Sequence, residues 1–175
     1  MKIKPHDLKQ YINDLANLYI GSFNVYRDEK LGEIPLAFYA EYLRRDEKYL
    51  MTKTIKVWSV ENQQYVFISE QEKPISKRDI QQFGQSLLAN VHQFVPSKQD
   101  HMSTTFLGAV VTNQPISKEV VSEVERFRKV KFIKFGWHGW AEFYIGVVNI
   151  SEEKTYIHKK GKELLKPFEL ILLNH

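Results

Sequence analysis

From Leu8 onward the apolar positions recur at Leu8, Tyr11, Ile12, Leu15, Leu18 and Tyr19, one stripe of a 3.6-residue turn. Asp7 stands where an N-cap belongs and Gly21 where the turn can stop, so the spacing predicts an amphipathic helix. The period then changes. Runs at 22–26, 34–43, 51–60 and 65–68 carry the β-branched and aromatic residues that suit a pleated surface. The charged stretch 44–48 and Glu61-Asn62-Gln63 read as the turns between the later runs. Consecutive strands on short turns predict an antiparallel meander, with Pro35 near a strand start, where a missing N–H is tolerated.

Helical spacing returns at Ile80, Phe83, Leu87, Leu88, Val91 and Phe94. Ser76-Lys77-Arg78-Asp79 opens it as a capping box with aspartate in the glutamate place, and Pro96 closes it. Thr104 to Thr112 is uncharged throughout, as expected of a strand covered on both faces. Ser117 caps a shorter helix carrying Val120, Val121, Val124 and Phe127. Strands are expected at 131–135 and 141–150, then a turn, a short extended piece at 155–157, a loop with one helical turn, and a docked apolar tail at 168–173. A long helix between strands is the crossover that a parallel pair needs. The expectation is a mixed, mostly antiparallel sheet with helices on one or both faces, in the order αββββαβαββ. No repeat or low-complexity tract divides the chain, so one α/β domain over residues 1–175 is expected.

Composition narrows the function classes. Hydrophobic residues make up 43% and charged residues 26%, which excludes a disordered chain. There is no cysteine, so disulfides, thiolate metal sites and cysteine nucleophiles are excluded. No apolar run reaches the ~18 residues of a membrane span, and the start has no signal-peptide h-region, so a cytoplasmic protein away from the membrane is expected. The net charge of +4 is mildly basic. The 13% aromatic share raises the expectation of a homodimer, because interface cores favour such residues.

The most unusual string is Phe135-Gly136-Trp137-His138-Gly139-Trp140-Ala141-Glu142. Trp137, His138 and Trp140 on a glycine turn form an expected stacking surface with one titratable nitrogen. Basic residues gather at Arg126, Arg128, Lys129, Lys131 and Lys134, and again at Lys159, Lys160 and Lys162, interleaved with acids. Lys131 and Lys134, beside the tryptophan loop, are therefore expected binding residues, and a nucleic acid is one expected partner. There is no histidine pair at metal-ligand spacing, no phosphate-cradling loop and no nucleophile elbow. No metal or cofactor is expected on these grounds. The residues predict a binding or interaction domain without a complete catalytic set; Glu70, Glu72 and His138 are the only catalytic candidates.

Two resemblances extend this reading. The order helix, three strands, helix, strand over residues 7–112 is similar to that of the restriction-endonuclease-like nucleases. That resemblance implies metal-dependent cleavage, with Glu70 and Glu72 as the acids that would hold Mg²⁺. Glu72 stands where that family has lysine, Lys73 comes one place late, and the acid nearest the second strand is Glu61. The strings Lys134–Glu142 and Lys159-Lys160-Gly161-Lys162-Glu163-Leu164 resemble a small prokaryotic family of unknown function over most of the chain. That likeness implies an intact domain and no particular activity.

Overall fold

A computed structural model of the chain describes residues 7–44, 61–94, 101–132 and 140–174. The first helix, α1 (Leu8–Ile20), forms as its stripe predicts. Asp7 accepts from the Lys9 N–H at 3.1 Å, and Leu8, Tyr11, Ile12, Leu15, Ala16 and Tyr19 are buried. β1 (Asn24–Arg27) follows, then a small hairpin of β2 (Lys30–Leu31) and β3 (Ile34–Pro35), then β4 (Phe38–Arg44). The single run expected at 34–43 is thus broken in two, and Pro35 pairs with Lys30 in the hairpin. The strand expected at 51–60 lies outside the described residues.

β5 (Glu61–Gln71) begins where a turn was expected. The amide-rich residues at its start belong to the ladder, because Gln63 is buried against Thr104 of the next strand, whose hydroxyl points to its side-chain oxygen at 3.5 Å. The capping box forms as read: Asp79 accepts from the Ser76 N–H at 2.8 Å and Ser76 accepts from the Asp79 N–H at 3.2 Å. It opens α2 (Lys77–Asn90), and Val91 and Phe94 fall in the short 3₁₀ turn and bend beyond the helix end. β6 (His101–Thr112), α3 (Lys118–Arg126, capped by Ser117), β7 (Arg128–Phe132) and β8 (Trp140–Asn149) follow. After β9 (Lys154–Tyr156) a 3₁₀ segment, Lys159–Leu165, leads into α4 (Lys166–Leu173). The apolar tail is therefore a helix, an element the expected order lacked; Pro167 in its first turn is compatible with that start.

The sheet order is β1-β4-β5-β6-β8-β7, with β9 also on β8. β5, β6 and β8 run parallel, and the other pairs are antiparallel. The protein is α/β with a mixed sheet, as expected. β6 is central, and helices cover both faces. α1 and α4 pack over Ala40, Val66, Ile68, Leu107, Ala109 and Val148. α2 and α3 pack over Tyr65, Phe67, Phe106, Phe143 and Ile145. On that second face Tyr65, Phe106 and Phe143 sit level on adjacent strands and stack at 5.2 and 5.0 Å. The crossover helix α2 comes down onto Gly108 of β6, where a Cβ would meet Phe83 Cε1 at 1.9 Å. Among the described residues no helix is long and apolar enough to cross a membrane.

Candidate binding surface at the open end of the sheet

Strand pairing sorts side chains into rows, because directly paired residues point to the same face. On the α1/α4 face, Ala40, Val66, Leu107 and Tyr144 form a buried row that seats the helices. One step along the strands the row changes character to Tyr42, Gln64, Thr105 and Glu142, all only partly buried. Val130 of β7 pairs with Glu142 and extends that row; it is 46% exposed. The next row holds Ser103, Trp140 and Phe132, with Trp140 42% and Phe132 83% exposed. The helix layer thus seals one end of this face. The other end presents polar groups flanked by two exposed aromatic rings.

At the boundary stands a hydrogen-bonded cluster. Arg128, the first residue of β7, pairs with Tyr144. Its Nη2 donates to Glu142 Oε1 at 2.8 Å and its Nε donates to the Tyr144 hydroxyl at 3.1 Å. Tyr144 in turn donates to Glu142 Oε2 at 3.1 Å. Burial raises the Tyr144 phenol above its ordinary range, and the hydrogen bonds that Arg128 donates to Tyr144 and Glu142 keep its guanidinium firmly protonated.

The same cluster collects the second basic run. β7 lies against the first half of β8, and β9 against its last residues on the same edge. β9 runs back toward Tyr144, so the chain leaving it delivers His158 beside that ring, 6.2 Å between centroids. Gly161 makes this approach possible, since a Cβ there would meet Tyr144 Cδ1 at 2.8 Å. His158 Nδ1 accepts from the Lys160 N–H at 3.1 Å. Burial, then the charges of Arg128, Lys159 and Lys160, push its imidazolium below the usual histidine range. Two basic segments some thirty residues apart in sequence therefore meet at one end of β8.

The sequence-predicted residues divide. Trp140 lies on the open end. Trp137, His138 and Lys134 lie outside the described residues. Lys131 pairs with Ala141, so it projects from the α2/α3 face and shares no surface with Trp140. Glu70 stands level with Val111 and Val148, at the other end of the strands, roughly 26 Å from the Trp140 level at about 3.3 Å per residue. Burial first, then Glu72 and Asp7, raise its carboxyl above the ordinary range, with Lys9 opposing. Among the described residues no group of three or more His, Asp or Glu is placed to hold a metal ion. Sequence reasoning missed Phe132, Gln64, Thr105 and the Arg128–Glu142–Tyr144 cluster. The available signal was the polar start shared by two apolar strands, Asn62-Gln63-Gln64 and Ser103-Thr104-Thr105, which stand level in the parallel register. A separate apolar groove of about 610 Å³ runs between α1 and α4, lined by Leu18, Phe23, Leu170 and Leu173 among others.

Fold and surface together define a mixed α/β domain with one half-open sheet face. The chain belongs to a domain family described as a domain of unknown function, DUF8052, whose model matches residues 7–170. No curated protein and no solved structure matches it.

Proposed function

We propose that this domain works by binding and that its ligand is a single-stranded nucleic acid laid across the open end of the sheet. The observation that carries the reading is the pairing of two exposed rings, Phe132 and Trp140, with a basic group made of Arg128, Lys159 and Lys160, gathered around the neutral His158. Unpaired bases stack on aromatic faces whatever their identity, and nearby cations neutralise the backbone. The polar row of Gln64, Thr105 and Tyr42 beside them supplies donors and acceptors for base edges. An apolar ligand would leave that row unsatisfied, at a cost that disfavours it.

The test is fluorescence anisotropy of a labelled 20-nucleotide mixed-sequence DNA strand titrated with the full chain over a range of salt. Binding is expected to weaken steeply with salt, and the duplex of the same sequence, whose bases are already stacked, should bind less well. Trp140→Ala and Phe132→Ala should each cost roughly 5- to 100-fold in affinity, as stacked rings do, with the circular dichroism unchanged. No binding at low salt, or equal binding of duplex and strand that survives both substitutions, rejects the proposal.

A further inference from the structure

Glu142 is the acid at the centre of this basic surface, and its carboxylate occupies the arginine that a backbone phosphate would want. The pair is reachable, with side-chain exposures of 26% for Arg128 and 29% for Glu142. Carboxylate and phosphate oxygens compete for the same guanidinium edge, because both match its planar fork. Arg128 has a second anchor besides Glu142. Its Nε is separately held by the Tyr144 hydroxyl, and the Tyr144 ring is buried under Gly161. Among the described residues Glu142, by contrast, is bound only to groups at the surface end of the cluster, Arg128 and the Tyr144 hydroxyl.

We propose that Glu142 is a built-in phosphate mimic: it holds Arg128 in the empty domain and is displaced when a phosphate of the ligand takes its place. This rests on the binding reading above. The device would set a threshold. Weak or isolated anions fail to displace a tethered carboxylate, whereas a strand that also stacks on Trp140 and Phe132 brings enough free energy to do so. The carboxylate also acts as a permanent counterion, so the Arg128 contact releases no salt ion when the ligand arrives.

Glu142→Gln keeps the shape and removes the charge. With the same labelled strand its affinity should rise roughly three- to tenfold at low salt, the effect of removing one like charge near a phosphate. The slope of log K against log salt should steepen by about 0.7, the value for one added phosphate contact on a single strand. On an Arg128→Ala background the same substitution should give no gain in slope. Glu142→Ser provides the same reading if the glutamine variant loses its fold. An affinity equal to or below the wild type, an unchanged slope, or a gain in slope that persists without Arg128 overturns the inference. If the wild type binds and Trp140→Ala weakens it while Glu142→Gln changes nothing, only the mimic fails. If the wild type does not bind the strand at all, both readings fall.

Discussion

Gly108→Ala tests the packing that holds the sheet and its covering helices together. Gly108 lies in the middle of the central strand, and the methyl carbon of alanine would sit 1.9 Å from Phe83 Cε1, 2.6 Å from Cδ1 and 3.0 Å from Ile145 Cδ1. Phe83 is 3% exposed and Ile145 fully enclosed, so neither has free space to move into. Either the ring leaves its rotamer or α2 lifts off β6. Overpacking of this kind costs 1–3 kcal/mol, and the depth of this overlap puts the expected loss at about 3 kcal/mol. For a chain of 175 residues that is a fall in Tm of roughly 6–12 °C. Urea unfolding followed by far-ultraviolet circular dichroism measures it, with the m-value expected to stay constant. Phe83→Leu alone should cost about 1–2 kcal/mol through lost burial. In the double variant the alanine methyl takes space the ring has vacated, so the combined loss should fall short of the sum by at least ~1 kcal/mol. A Gly108→Ala protein within ~0.5 kcal/mol of the wild type, or strict additivity in the double variant, would refute the reasoning.

Two further outcomes can be measured on the same protein. Glu70 has its carboxyl raised in the folded state, so its charged form opposes folding above that range, while at low pH it is protonated in both states and neutral to stability. Glu70→Gln should therefore stabilise the protein at neutral pH, and the advantage should shrink to nothing as pH falls through the carboxylate range; a gain that is constant with pH contradicts the assignment. Ser76→Ala and Asp79→Ala each remove one half of the reciprocal cap on α2 and should cost about 1 kcal/mol apiece in chemical denaturation, with the double variant costing less than the sum.

Much of the fold was legible in the chain because its signals are local. The stripe from Leu8 to Tyr19, the box at Ser76–Asp79 and the cap at Ser117 each act within one or two turns, and all form where the spacing put them. The uncharged run ending at Thr112 correctly marked the central strand, since covering both faces leaves no room for charge. The errors have a common cause. Glu61, Asn62 and Gln63 read as a turn because such polar residues favour turns, yet they begin a strand whose neighbour supplies a matching polar start. The tail at 168–173 carried too few residues to show a helical period by itself, and its burial against α1 makes it a helix.

The candidate surface shows the same division. Composition and pattern by themselves determined an α/β chain without thiol chemistry, with a basic excess and an unusual aromatic string ending at Trp140. Which side each residue faces was beyond them. A strand turns alternate residues to opposite faces, so Lys131 and Phe132, neighbours in sequence, end on different surfaces. Bringing Arg128 to His158 needed β7 and β9 to share one edge of β8, a pairing between segments with no local signal for each other. Short-range spacing sets the elements, whereas register and edge sharing are free-energy minima of the whole sheet, and only the tertiary structure decided that the rings, the cations and Glu142 would meet.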